Sequence, residues 1–171
     1  MRPVVWKCLM FKNDARPKAS FLMWLVLQGR LATADRLMRW GITMDNTCSL
    51  CQAELETRDH LFVECDYAKA IWRTMQKWLQ WQQAPDEWNQ HATWAIKRAK
   101  GKSKQAQLFK LVYAECVYAI WIERNNRVFE KKARSWEAIA REIVYTCHVR
   151  AGSKVQELLE NFSFYVLRKL V

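Results

Sequence analysis

Apolar residues recur at helical spacing along most of the chain, and the recurrence breaks at only a few places. After Pro17, residues Phe21, Trp24, Leu25 and Leu27 follow an i, i+3, i+4 pattern that predicts a helix over about 19–27, ended by Gly29. Thr33 sits where an N-cap belongs, Leu37 and Trp40 lie three apart on one face, and Gly41 occupies the position just past a helix end, so a second short helix is expected. Between residues 42 and 56 no period survives, and polar residues with two cysteines predict a loop. Glu56 or Thr57 can open a short helix carrying His60 and Leu61. Asp66 can cap the next, which runs to about Trp81 through Ala70, Ile71, Trp72, Met75, Trp78 and Leu79.

Pro85 with Asp86 and Glu87 reads as a new helix start leading to Trp88, His91, Ala92 and Trp94. Beyond Ser103 a long amphipathic pattern passes through Leu108, Phe109, Leu111, Val112, Cys116, Ile120 and Trp121 to Phe129, about 39 Å of helix if unbroken. A further helix is expected from the Ser135 cap, with Ile139, Ile143, Val144 and Cys147 inward and a Glu137 to Arg141 pair outside. Ala151, Gly152 and Ser153 then break the pattern before a last segment with Val155, Leu158, Leu159, Phe162 and Val166.

This pattern predicts a mainly α, small multi-helix fold with one structural zinc-knuckle insert, divided as a zinc-binding helical module over 1–82 and a C-terminal helical region over 83–171 packed on it. Composition agrees. Only 4 Gly and 3 Pro leave little material for the turns of an all-β fold, and the longest apolar run, Phe21 to Leu27, is far shorter than the roughly 20 residues of a membrane span. Gln28, Gly29 and Arg30 interrupt that run, which argues against a secretory leader.

Charge changes the picture more than composition does. The chain carries +11 overall, yet residues 41–66 hold Arg58 against Asp45, Glu54, Glu56, Asp59, Glu64 and Asp66, so an acidic insert separates two basic stretches. Ten Trp accompany this excess. Trp24, Trp40, Trp72 and Trp121 fall on predicted core faces, whereas Trp78, Trp81, Trp88 and Trp94 crowd seventeen residues and ask for a docking partner.

Within the acidic insert, Cys48, Cys51, His60 and Cys65 form Cys-x2-Cys-x8-His-x4-Cys. Two thiolates at that spacing grip one side of a Zn²⁺ from a tight turn, and a later His and Cys complete a tetrahedron with no open position, which points to one structural zinc. Free thiols, a redox pair or disulfides are the alternatives. A redox pair lacks its strand-and-helix setting here, and disulfides leave His60 unexplained. Cys8, Cys116 and Cys147 lie in apolar-periodic stretches and read as fillers.

Pro17-Lys18, Phe21, Trp24-Leu25, Gly29-Arg30-Leu31, Thr33, Asp35-Arg36-Leu37, Gly41, Cys48, Cys51, Glu56-Thr57, His60-Leu61-Phe62, Cys65, Ala68 and Ile71-Trp72 together resemble the reverse-transcriptase zinc-binding domain of plant LINE-type retrotransposons, over roughly residues 3–75. Ile120-Trp121, Arg124-Asn125-Asn126-Arg127 and Val128-Phe129 are similar to the segment that often follows it. The resemblance implies a module that lies C-terminal to a polymerase and helps bind nucleic acid. The paired catalytic aspartates of a polymerase are absent, so the chain reads as a retroelement fragment or a host protein derived from one, intracellular in a reducing compartment, nuclear or cytoplasmic, and not secreted.

The expected function is therefore noncatalytic binding of RNA or DNA. Contact is assigned first to Lys97, Arg98, Lys100, Lys102 and Lys104, the most basic window, whose alternative is a solvated loop, and then to Arg30, Arg36 and Arg39. A protein-interaction module using Trp78, Trp81, Trp88 and Trp94 is the competing reading. No membrane and no small-molecule substrate are implied. An enzyme built on Asp86, Glu130 and Lys132 as a nuclease set is disfavoured, because a Glu and Lys two apart on a helix face different ways.

Overall fold

The computed structural model describes residues 5–43 and 45–162; Val166 lies outside them. Among the described residues the chain forms eight α-helices and two π-helical turns, with one isolated antiparallel bridge between Thr47 and Leu55. Helix α1 spans Lys7–Met10 and α2 spans Pro17–Leu27, with Pro17 in the first turn, where its missing N–H costs nothing. Gly29, at φ +63, turns the chain off α2 into the left-handed region, and the Arg30 amide reaches back to the Leu25 carbonyl. Helix α3 covers Ala34–Arg39. Thr33 occupies its N-cap position, but the capping acceptor comes from elsewhere. The Ala34 amide donates to Glu56 Oε1 at 2.8 Å, while the Thr33 hydroxyl donates to Asp35.

A π-helical turn, His60–Glu64, leads into α4, Asp66–Leu79. This helix ends two residues short of the expected Trp81 because Gln80 takes a left-handed conformation. Helix α5 runs Trp88–Ala99, later than Pro85 suggested, with the Glu87 carboxylate accepting from the Asn89 amide as its cap. Helix α6 spans Lys104–Asn125 and passes into a second π-helical turn, Asn126–Glu130; α7 covers Trp136–Arg150 and α8 Ser153–Glu160. Ser103 and Ser135 cap α6 and α7 as their sequence positions suggest.

Helix α6 departs from expectation in character. It is buried nearly all round, because α2, α4, α5, α7 and α8 all pack on it. Its four buried charges are each held by a different part of the chain: Lys110 donates to the Phe11 carbonyl, Glu115 accepts from Arg16, Glu123 accepts from Arg127 and Arg134, and Arg124 donates to Glu56. A polar residue on this helix therefore marks a tether rather than a solvent face. One apolar core draws Met23, Leu61, Ile71 and Met75 from the first half and Phe109, Val112, Ile120 and Ile143 from the second. Cys116 and Cys147 are fully buried, and burial pushes both thiols well above their ordinary value, so they act as apolar filling; Cys8 is half-buried. No helix among the described residues is long and apolar enough to cross a membrane.

Candidate metal centre

The zinc-type turn is built by backbone bonds across a narrow hairpin. The Cys48 amide donates to the Glu54 carbonyl at 2.8 Å, the Glu56 amide to the Asn46 carbonyl at 2.7 Å, and the Gln52 amide to the Cys48 carbonyl at 2.8 Å, with Gln52 itself left-handed. That turn places Cys48 and Cys51 on one side. His60 opens the following π-helical turn, its amide held by the Thr57 hydroxyl at 3.0 Å, and Cys65 closes that turn through a bond from its amide to the His60 carbonyl. The wide turn brings both ends of the His-x4-Cys spacing to the same point.

The four donor atoms lie within 4.8 Å of one another and can hold one metal ion. Cys48 Sγ and Cys65 Sγ are 3.9 Å apart, and Cys51 Sγ and His60 Nε2 are 3.2 Å apart. Around tetrahedral zinc, ordinary bond lengths give S···S edges of about 3.8 Å and S···N edges of about 3.6 Å, so the donor set suits that ion in chemistry and comes within about 1 Å of its edges. Electrostatics point the same way. The Cys65 thiol is lowered chiefly by the hydrogen bond from Cys48, and Cys48 is correspondingly raised, since two buried sulfurs this close cannot both ionise without a cation between them. Burial lowers His60, favouring the neutral imidazole that ligates metals.

Residues far along the chain hold this centre in place. Arg127 Nη1 donates to the Ser49 carbonyl at 3.2 Å and the Leu50 carbonyl at 3.0 Å, inside the Cys-x2-Cys turn, while its Nε donates to Glu123. Its guanidinium also lies over the Tyr67 ring at 4.7 Å. Arg124 donates to Glu56, and Glu56 in turn caps α3, so the buried pair fastens the far side of the hairpin to α6. The Trp72 indole donates to the Phe62 carbonyl, anchoring the π-helical turn that carries His60. The sequence assigned no role to Glu56, Glu123, Arg124 or Arg127 at the metal centre; the signal it held was that Glu56 falls in the zinc-type stretch of resemblance and Arg124 and Arg127 in the downstream one.

The basic residues expected to contact nucleic acid fall on several elements. Lys97 and Arg98 end α5, Lys100 and Lys102 flank Gly101 in an exposed turn, and Lys104 pairs with Glu157. Arg98 lies over the Trp81 and Trp94 rings. In the other set, Arg39 pairs with Asp35, Arg36 lies over Trp40, and Arg30 lies over Trp24.

Three expectations about tryptophan are corrected. Trp24, expected on the core face of α2, is only half-buried and lies opposite the buried Ala19, Leu22, Met23 and Val26. Trp78 and Trp88, expected to lie open, are only 3% and 5% exposed, because two helices and a connecting turn share the burial that one helix could not provide; Trp81 and Trp94 are half-buried against Phe109. Trp40, expected in the core, is 56% exposed, since α3 is too short to turn it inward. Asp86 faces Arg73. Glu130 pairs with Lys132, contrary to the expectation that they face different ways, because the helical turn ends at Glu130 and Lys131 is left-handed.

Residues 2–72 match the family model described as zinc-binding in reverse transcriptase. Neither a curated protein nor a solved structure matches the chain. The matched segment ends inside α4, which packs on α6 and α7 beyond it as well as on the π-helical turn within it.

Proposed function

We propose, taking residues 2–72 as a zinc-binding domain of the reverse-transcriptase kind, that this chain is a noncatalytic nucleic-acid-binding module braced by one structural zinc. Three thiolates and one imidazole complete a tetrahedron and leave no position for water or substrate, so the ion would hold a turn rather than do chemistry. Such a centre carries −1 before Glu54, Glu64 and Asp66 are added, and a polyanion would avoid it. Contact then falls to the basic flanks.

The observation that carries this reading is the exposed turn at the end of α5. Lys97, Lys100 and Lys102 are exposed and form no ion pair with a described carboxylate, around Gly101 at φ +95. Unopposed lysines neutralise phosphates and release counterions, giving affinity without sequence choice. The competing protein-docking reading loses its main support with the burial of Trp78 and Trp88.

The test is a titration of zinc-loaded protein with single-stranded and duplex DNA and RNA across salt. Affinity should fall steeply with salt, and changing Lys97, Arg98, Lys100, Lys102 and Lys104 to Glu should weaken binding sharply at low salt. A salt slope near zero, or unchanged affinity in the variant, would overturn the reading.

A further inference from the structure

The first forty residues carry eight basic side chains and two acids, and both acids are already engaged: Asp14 accepts from the Gly152 amide, and Asp35 pairs with Arg39. No carboxylate lies between them in the sequence. This stretch also holds two of the most exposed aromatic rings, Phe11 at 69% and Phe21 at 60%.

Helix α2 organises this material into a face. Ala19, Leu22, Met23 and Val26 are its buried residues, and the helix packs on α6. At 100° per residue Phe21, Trp24 and Gln28 point the opposite way. Phe21 and Trp24 stack on that face, ring centroids 5.8 Å apart and planes 25° from parallel. The Arg30 guanidinium lies 5.6 Å from the Trp24 ring, just past the Gly29 turn, and exposed Lys18 sits one helical turn before Phe21. The result is an aromatic pair with a cation at each end.

We infer that this outward face of α2, formed by Lys18, Phe21, Trp24 and Arg30, is a stacking platform for single-stranded nucleic acid. An unpaired base stacks on the exposed Phe21 ring, which Trp24 backs, while Lys18 and Arg30 take the flanking phosphates. A duplex hides its base faces and gains only the phosphate contacts. The charge of the face selects a polyanion over an apolar protein segment, and the ring pair selects an unpaired strand. The inference rests on the nucleic-acid reading above and adds to it a site and a strand preference.

Fluorescence anisotropy with a labelled 20-nucleotide single strand and its duplex, on the full zinc-loaded chain, tests it. Phe21→Ala should weaken single-strand binding about tenfold, in line with the loss of one stacked base, and leave duplex binding and the salt slope unchanged. Phe21→Trp should retain affinity and Phe21→Leu should not, which separates stacking from apolar contact. Since Phe21 is exposed, circular dichroism should show all three variants folded. Wild-type binding with Phe21→Ala or Phe21→Leu at full affinity would overturn the α2 site and leave the nucleic-acid reading standing. Failure of the wild type to bind either probe at low salt would overturn both.

Discussion

Arg124→Met puts the connection between the two halves of the chain under direct strain. Arg124 and Glu56 are 2% and 1% exposed at their side chains, with Nη2 to Oε1 at 2.7 Å and Nε to Oε2 at 3.0 Å, and Glu56 also accepts from the Ala34 amide. Met fills much of the space but leaves the carboxylate buried with one donor. Removing one partner of a buried pair costs about 3–5 kcal/mol, far above the 0–1 kcal/mol of a surface pair. For a domain of this size each kcal/mol is worth about 2–4 °C, so Tm should fall by about 10 °C. The assay is urea and thermal unfolding at pH 7 with zinc in excess throughout. Glu56→Gln should be comparably destabilising, and the double variant should lose clearly less than the two singles together, with a coupling of about 2 kcal/mol. A loss under about 1 kcal/mol in Arg124→Met, or additivity in the double variant, would refute the claim that this pair fastens the zinc-type hairpin to α6.

Two further outcomes follow from the same packing. His91 is 1% exposed, its Nδ1 lies 3.1 Å from the Pro85 carbonyl, and burial pushes it down to about 4, an effect that the Pro85 hydrogen bond and, less, Asp86 partly offset. Between about pH 6.5 and about pH 4 the unfolded chain takes up a proton at this residue and the folded chain does not. The stability from neutral His91 is therefore whole above pH 6.5 and lost as pH falls toward 4, by about 3 kcal/mol in all. The difference in unfolding free energy between wild type and His91→Phe, followed over that range, should shrink by this amount; a flat difference would contradict the assignment. A fragment covering only residues 2–72, the segment matched by the family model, should not fold even with zinc, because Met23, Leu61 and Phe62 lose the α6 surface and the Cys48–Cys51 turn loses Arg127. A dispersed amide spectrum from that fragment would refute the dependence.

The parts of this molecule that could be read from residues alone are those set by local spacing. The four candidate ligands are such a case, because Cys-x2-Cys and His-x4-Cys are short-range geometry that a tight hairpin and one wide turn realise directly. Helix starts at Ser103 and Ser135, and the stop at Gly29, are equally local. What could not be read depends on partners far away in sequence. Thr33 looked like a cap, but Glu56 supplies the acceptor from 22 residues downstream. Lys110 and Glu115 break the apolar period of α6 and suggest an exposed side, yet each is buried against the α1–α2 segment. Trp40, expected in the core, ends exposed and Trp88, expected to lie open, ends buried, because α3 has few neighbours and α5 lies between the π-helical turn and α6.

Zinc K-edge X-ray absorption on protein purified without added chelator tests the central claim most directly. Cys48, Cys51, His60 and Cys65 predict one zinc per chain with three sulfur scatterers at about 2.3 Å and one nitrogen at about 2.0–2.1 Å, and Cys65→Ser should lower the sulfur count or release the ion. A first shell with a water oxygen or fewer than three sulfurs in the wild-type protein, or a chain that retains no zinc, would contradict a closed structural centre.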